Sequence, residues 1–269
     1  MSAPTTSQPA AIAAELCAAG CVFAEDEAAL LLAEAGSAEQ LRELVARRVS
    51  GIPLEQVLGW AEFCGLRIAV EPGVFVPRRR TGLVVSEALA GAPPRPVILD
   101  LCCGSGAVGV AVAAGCEGAE LYGADLDPAA VACARGNVAR AGGGAVFEGD
   151  LFDPLPAGLR GRIDILLVNA PYVPSGAISS MPPEARLHEP RLSLDGGADG
   201  LDVQRRVARQ ARPWLAPGGR LLVETSRQQA SGTLALLTEA GLDAEVVRSE
   251  ELDATVVTGT RPPVQGGGR

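Results

Sequence analysis

The sequence predicts an α/β protein: a seven-stranded, mostly parallel sheet with interleaved helices, an antiparallel hairpin at one edge, and a small helical region in front of it. Three observations predict it. From Arg95 onward, short apolar runs alternate with helix-like segments; a glycine-bearing turn joins the first run to a small-residue helix; and only a short connection separates the last two runs.

The elements follow in chain order. Ala10 to Ala19, Glu25 to Ala35 and Ala38 to Val49 carry Ala, Leu, Glu and Arg at helical spacing, punctuated at Gly20 and Gly36. Gln56 to Phe63 and Leu66 to Val70 read as two short strands meeting at Cys64-Gly65, followed by the turn Glu71-Pro72-Gly73. The sheet strands are Pro96 to Leu101, Glu120 to Ala124, Ala145 to Glu148, Ile163 to Val168, Arg220 to Glu224, Ala244 to Arg248 and Ala254 to Thr258. Helices Ala107 to Ala114, Pro128 to Ala141 (with Pro in its first turn) and Leu201 to Leu215 lie between them, and about residues 171 to 198 read as a long loop. Right-handed crossovers connect the parallel strands, and the short final connection calls for an antiparallel pair. The expected divisions are a helical domain over 1–50, a hairpin linker over 51–75, the main domain over 76–261 and a flexible tail over 262–269. No internal repeat is visible.

The chain has 269 residues, 48% of them apolar and 20% charged, which is ample for a packed core and excludes wholesale disorder. Its formal charge of −9 and isoelectric point near 4.8 give no global electrostatic footprint for nucleic acid or an anionic membrane. All 23 cationic side chains are arginine. No apolar run reaches membrane-spanning length, and Met1 to Pro9 lacks the positive start of a signal peptide. Seven cysteines without paired C-x-x-C spacing, and a single histidine, His188, predict no metal site and free, mostly buried thiols in a reducing cytoplasm.

The segment Val97-Ile98-Leu99-Asp100-Leu101-Cys102-Cys103-Gly104-Ser105-Gly106-Ala107 is an apolar strand, a small-residue turn and a helix start. Gly104 and Gly106 allow a tight turn and close approach of a ligand to the backbone. Asp125, nineteen residues past Gly106 at the end of the next strand, can accept both hydroxyls of a ribose. With Gly109 the glycines are also compatible with a dinucleotide turn. Asp100 would repel a phosphate yet can hold an ammonium, so the pair Asp100 and Asp125 fits S-adenosylmethionine better than a nicotinamide. Asp150, after the third strand, could take an adenine amino group with Leu151 against the ring; alternatively it is a solvated loop acid.

The fourth strand ends in Asn169-Ala170-Pro171-Tyr172, where ligands of open α/β sheets sit. The Asn169 side chain and the Ala170 peptide offer two carbonyl oxygens that can hold a planar NH2 by both hydrogens, Pro171 restricts the backbone, and Tyr172 supplies a packing face. Such a nitrogen is a poor nucleophile, so positioning it in line with a sulfonium methyl is the chief catalytic device. An ordinary Asn-Pro turn is the alternative.

At these residues the chain resembles the peptide-chain release factor N5-glutamine methyltransferases, class I S-adenosylmethionine-dependent enzymes with N-P-P-Y after the fourth strand. Gly51-Ile52-Pro53-Leu54-Glu55-Gln56-Val57-Leu58-Gly59 is similar to the family's G-x-P-x-x-Y-x-x-G, and Phe75-Val76-Pro77-Arg78 to its I-P-R. Glu189-Pro190 and Gly196-Gly197-Ala198-Asp199-Gly200-Leu201 resemble its E-P…G-G-x-D-G-L. Leu215-Ala216-Pro217-Gly218-Gly219 and Leu222-Val223-Glu224 resemble its late strand. The resemblance spans roughly residues 50 to 230. It implies a Rossmann-like methyltransferase sheet and a cytoplasmic enzyme that methylates a glutamine side chain, with a release factor as protein substrate. Asp100, Cys102, Cys103, Gly104, Ser105, Gly106, Asp125, Asp150, Leu151 and Asn169 would then bind cofactor, and Asn169, Ala170, Pro171 and Tyr172 would serve catalysis.

Three departures stand out. Ala170 replaces the first Pro, keeping the carbonyl with a looser hinge. Cys102 replaces the turn's usual first Gly and crowds the methionine end of the site. Arg78-Arg79-Arg80-Thr81-Gly82 stands where R-P-E-T-E is common. Arg78 to Arg80 read as a solvated charge run, or as a contact for an acidic partner or RNA. His188 reads as a loop residue. Two other functions stay open: an N6-adenine nucleic-acid methyltransferase, which an acidic chain disfavours, and a non-catalytic S-adenosylmethionine-binding protein.

Overall fold

The computed structural model describes residues 8–263. The rest of the expected tail, residues 264–269, lies outside that range.

Four helices come first: α1 (Gln8–Ala18), α2 (Ala24–Glu34), α3 (Ala38–Val49) and α4 (Leu54–Leu58). Ser37 caps α3 by accepting the Gln40 N–H. Ile12, Leu16, Leu31, Leu41, Leu44, Val45 and Val57 form their common core. Arg48 is buried there, with its Nε 2.5 Å from Glu27 Oε2. The expected strand over Gln56 to Leu58 is instead helix α4. Gly59 ends it in the left-handed conformation, and Arg47 donates to the freed carbonyls of Gln56 and Val57. Strands β1 (Trp60–Phe63) and β2 (Leu66–Ala69) then make the expected hairpin around Cys64-Gly65.

The chain continues through a 3-10 turn, Arg79–Thr81, into α5 (Gly82–Ala90), β3 (Val97–Leu101), α6 (Ala107–Ala114), β4 (Glu120–Asp125), α7 (Pro128–Arg140), β5 (Ala145–Glu148) and β6 (Ile163–Val168). The expected long loop after β6 contains a 3-10 segment, Ser175–Ser180, the short helix α8 (Pro183–His188) and a 3-10 turn, Arg191–Ser193. His188 therefore ends a helix. Next come α9 (Asp202–Ala211), β7 (Leu215–Thr225), α10 (Ala230–Glu239), β8 (Asp243–Ser249) and β9 (Ala254–Thr260). The helix expected to reach Leu215 stops at Ala211, because Pro213 cannot continue it and Leu215 is already paired with Ile163.

The seven strands lie in the order β5-β4-β3-β6-β7-β9-β8. The hairpin closes one edge, and its inner strand, β9, runs against both neighbours. Both faces of the sheet are covered, which is why the central strands read as continuous apolar runs. Alternate residues serve opposite layers: Ile98, Ile165 and Leu167 pack with α5, α6 and α7, while Leu99, Leu166 and Val168 pack with α9 and α10. Strands β4 and β5 extend from β3 to one side, and β6 returns on the other. This reversal opens a crevice beyond the carboxyl ends of β3 and β6, where Leu101 pairs with Val168. Buried Asn137 on α7 bonds both main-chain groups of Ala69 and the Ser105 carbonyl, tying the β1–β2 hairpin to the turn after β3.

Candidate active site

A cavity of about 230 Å³ occupies the crevice. It brings together residues of the β3 turn (Asp100, Cys102, Cys103, Gly104, Ser105), Asp125 after β4, Asp150 and Leu151 after β5, and Asn169, Ala170, Pro171 and Tyr172 after β6. Gly106 is the exception: it turns the chain behind the wall, packed close to Ala134.

The turn after β3 is held from below. Asp100 is buried, and its Oδ2 accepts the Gly109 N–H at 2.8 Å, an approach that a Cβ at Gly109 would crowd at 3.0 Å. Burial pushes the Asp100 carboxyl up to about 8, with Asp125 adding to the effect and the Gly109 N–H opposing it. Gly104 has φ of +55° and open space where a side chain would point, so its backbone faces the cavity. Cys102 adopts φ of +54°, strained for a residue with a Cβ. Burial and the neighbouring aspartates push the thiols of Cys102 and Cys103 upward, so both stay protonated. The expectation that the cysteines are mostly buried is corrected: Cys103 and Cys133 are buried, Cys21, Cys102 and Cys116 are half-buried, and Cys17 and Cys64 are exposed on helical and hairpin surfaces.

Asp125 uses one lone pair of each oxygen internally: Oδ2 accepts the Gly104 N–H at 2.8 Å and Oδ1 the Asp127 N–H at 2.9 Å. Burial raises its carboxyl despite those bonds. Two carboxylates on adjacent strands, both disfavoured in their charged form, make a site short of positive charge and hydroxyl donors. That fits S-adenosylmethionine, which carries an ammonium, a sulfonium and a ribose diol, and it does not fit a pyrophosphate. Asp150 is engaged by Arg206 of α9, whose Nη2 lies 2.6 Å from its Oδ2. Half-exposed Leu126 and Leu192 add apolar wall that sequence reading missed.

On the other side, Asn169 Nδ2 donates to the buried Thr81 Oγ1 at 3.4 Å. With Nδ2 on Thr81, the other end of the amide, Oδ1, is left as an acceptor. Tyr172 does more than offer a face. Its hydroxyl donates to Glu224 Oε1 at 3.2 Å and accepts from Arg80 Nη2 at 2.8 Å. Burial and Glu224 push this phenol up to about 12, against the pull of Arg80.

The arginine run is partly solvated and partly paired: Arg79 and Arg80 are exposed and Arg78 is half-buried, yet two of the three reach carboxylates. Arg78 Nη2 lies 2.5 Å from Oε1 of the buried Glu189, with its guanidinium 5.0 Å from the centroid of Phe75. Arg80 Nε lies 3.4 Å from Glu224 Oε1. Arg79 is left exposed. Thr81, Arg80, Glu189 and Glu224 are site residues that sequence reading left without a role; the one signal was that all four fall inside or beside segments already singled out.

Comparison with known proteins gives the family. Residues 66–185 match the family model described as a methyltransferase small domain. A release factor glutamine methyltransferase of Geobacter sulfurreducens is 42% identical over 74% of this chain and 70% of its own length. The chain belongs to the release factor glutamine methyltransferase family. Within that family's range of similarity lies a Streptomyces pristinaespiralis enzyme, named as a 4-amino-L-phenylalanine/4-methylamino-L-phenylalanine methyltransferase, which is 37% identical over 73% of this chain and 69% of its own. Among solved structures, a T. thermophilus 16S rRNA methyltransferase in complex with AdoMet and guanosine superposes with a TM-score of 0.55. It is 22% identical, covering 75% of this chain and 49% of that one, and shows the shared methyltransferase fold. Among the described residues, no helix of this family member is long and apolar enough to cross a membrane.

Proposed function

We propose that this chain transfers a methyl group from S-adenosylmethionine to the side-chain amide nitrogen of a glutamine in a peptide-chain release factor. The observation that supports the reading is the contact of Asn169 Nδ2 with Thr81 Oγ1 on the cavity wall, which leaves Asn169 Oδ1 to act as an acceptor together with the carbonyl of Ala170, the next residue lining the cavity. Two acceptors converging there would suit a planar NH2 with both hydrogens present.

The cofactor supplies an electrophilic methyl on a positively charged sulfur. The rest belongs to the chain. Asp100 takes the ammonium, Asp125 the ribose hydroxyls, and Asp150 with Leu151 and Leu126 the adenine. Asn169 and Ala170 fix the amide nitrogen by its hydrogens, leaving its lone-pair face toward the β3 turn. Positioning of this kind replaces an encounter entropy worth about 7–11 kcal/mol in well-oriented systems. As the N–C bond forms, the methyl–sulfur bond breaks with its electron pair going to sulfur, and S-adenosylhomocysteine leaves as a neutral thioether. The two carbonyl oxygens hold the positive charge growing on the nitrogen, and the acidified N–H proton passes to solvent.

An aromatic amine presents the same planar NH2, and the Streptomyces relative is named for such a substrate. A nucleic-acid amine is supported less: Arg78 and Arg80 are committed to Glu189 and Glu224 rather than free for phosphates. One experiment separates these. The chain is incubated with labelled S-adenosylmethionine and, in parallel, a release factor, its Gln→Asn variant at the expected glutamine, 4-aminophenylalanine, and RNA. Label on the release factor alone, lost in the Asn variant and located by mass spectrometry on the glutamine nitrogen, is the expected result. Label on 4-aminophenylalanine or RNA and none on the release factor overturns the reading.

A further inference from the structure

Ala170 is buried among core side chains, so packing restrains the acceptor turn, but its backbone dihedrals add less restraint of their own. Between Asn169 and Tyr172 only Pro171 has its φ fixed by a ring; Ala170 keeps that freedom, although the following proline holds its ψ extended. Yet the Ala170 carbonyl has to point at one place. A freely hinged turn would spread that oxygen over several positions and lose the alignment on which the proposed chemistry depends.

The structure shows where restraint can enter. Tyr172, at the far end of the turn, is gripped at both ends of its residue. Its main-chain carbonyl accepts from Gln229 Nε2 at 2.9 Å, and its hydroxyl lies between Arg80 Nη2 and Glu224 Oε1 at 2.8 and 3.2 Å. Glu224 is buried on β7, a strand paired on both sides and so a rigid base. Its Oε2 has no hydrogen-bond partner among the described residues, so its charge relies on Arg80 and the phenol. The residue after Arg80, Thr81, holds the other end of the turn through the Asn169 amide. Two consecutive residues of one 3-10 turn thus grip both ends of the acceptor segment.

We propose that Arg80 is a positioning residue: by pinning the Tyr172 hydroxyl against Glu224, it supplies the restraint that Ala170 does not, and thereby aims the Ala170 carbonyl at the methyl-accepting nitrogen. The proposal rests on the assignment of Asn169 and Ala170 as the acceptor pair. Loss of that assignment has its own signature, full turnover in Asn169→Ala, whereas failure of the present proposal leaves Asn169→Ala inactive and Arg80 variants normal.

The test is steady-state kinetics on the full chain with the release factor as acceptor, for Arg80→Gln, Tyr172→Phe (which keeps the ring face and removes only the hydroxyl), their double variant, and Ala170→Pro alone and combined with Arg80→Gln. Expected are about a tenfold fall in kcat for each of the first two, with KM for S-adenosylmethionine unchanged. The double variant should be no slower than the slower single one, since both break the same link. A proline at 170 restores the restraint through the backbone, so the Arg80→Gln loss should shrink severalfold in that background. Multiplying losses in the double variant overturn the proposal, as does an undiminished Arg80→Gln loss with proline at 170. A raised KM for the release factor at unchanged kcat also overturns it, assigning Arg80 to substrate binding. If Ala170→Pro alone is inactive or unfolded by thermal melting, the cycle of Arg80→Gln with Tyr172→Phe decides between these outcomes by itself.

Discussion

Replacing Asp125 by alanine tests the cofactor assignment most directly. The carboxylate ends β4 with one lone pair of each oxygen spent on a backbone N–H, from Gly104 and Asp127. Asp125 lines the cavity, and its remaining lone pairs are available for two vicinal hydroxyls. Hydrogen bonds to a charged group contribute about 1.5–3 kcal/mol each. The raised carboxyl of Asp125 shows that burial already disfavours its charge, so part of that gain is offset when it is removed. The lower end of the sum, about 3 kcal/mol, is the better expectation, and it corresponds to roughly a hundredfold weaker binding. Isothermal titration of Asp125→Ala with S-adenosylmethionine and with S-adenosylhomocysteine measures it. The ribose is common to both, so a ribose contact predicts equal losses. A loss confined to S-adenosylmethionine would mean that Asp125 acts at a distance on the sulfonium, and unchanged affinity for both would refute the placement of the ribose. Asp125→Asn is the harsher change for folding: one of its amide hydrogens must face the N–H of Gly104 or Asp127, so its melting temperature should fall below that of the alanine variant.

The other expectations are shorter. Thr81→Val keeps the shape of a buried side chain and removes the acceptor for Asn169 Nδ2, so kcat should drop about tenfold at unchanged cofactor affinity, and Thr81→Ser should recover it; full turnover in the valine variant would show that something else orients the amide. Asp150→Ala should weaken cofactor binding by about tenfold while leaving the melting temperature nearly unchanged, because the half-exposed pair with Arg206 contributes little stability; unaltered affinity would return Asp150 to the role of a surface ion pair. Asp100 binds its proton more tightly when folded, at about 8, than when unfolded, so its stabilising effect is complete below about pH 4 and is lost as pH rises through about 8. In Asp100→Asn that loss is absent, and the melting-temperature gap in favour of the variant should widen from about pH 5 to about pH 8; a constant gap would contradict the burial of the carboxyl.

The sheet and half of the site were legible in the sequence because their signals are local. Apolar runs such as Ile163–Val168, a turn with Gly104, and an acid at the end of the next strand each announce themselves within a few residues. Where local signals misled, a tertiary partner decided. Gln56 to Leu58 could extend β1, but the left-handed Gly59 and the bond from Gln56 Nε2 to the Val74 carbonyl favour one helical turn. Helices α5 and α10 drew no expectation, since Gly-Leu-Val-Val and Ala-Ser-Gly-Thr carry neither a clear helical stripe nor a cap. Arg78 and Arg80 read as a solvated run because their partners, Glu189 and Tyr172, lie 111 and 92 residues further along the chain. Nothing in a run of three arginines tells which of them will find a buried carboxylate.

The titratable groups around the acceptor pair decide how turnover should depend on pH. A general base for the amide nitrogen would have to be a nearby group that is free and deprotonated. Tyr172, pushed up to about 12, is a neutral phenol near neutrality. Glu224 Oε1 is taken by that phenol and by Arg80, and Glu189 Oε1 by Arg78, whereas Oε2 of each is buried with no partner among the described residues. The acceptor itself, an amide, does not titrate in this range. If Asn169 and Ala170 act by position alone and neither free Oε2 serves as a base, no proton is removed beforehand, and kcat should be flat from about pH 7 to about pH 9. The behaviour of kcat/KM for the cofactor should differ, since it reports the free enzyme and free ligand. Below about pH 8 the Asp100 carboxyl is protonated and has to lose its proton to meet an ammonium; above about pH 8 the free α-amino group of the ligand begins to lose its own. A bell centred near pH 8 follows, and Asp100→Asn should remove its acid limb while leaving kcat flat. A kcat that climbs tenfold per pH unit would instead require a base in the chain, and the claim that Asn169 and Ala170 act by position alone would fall with it.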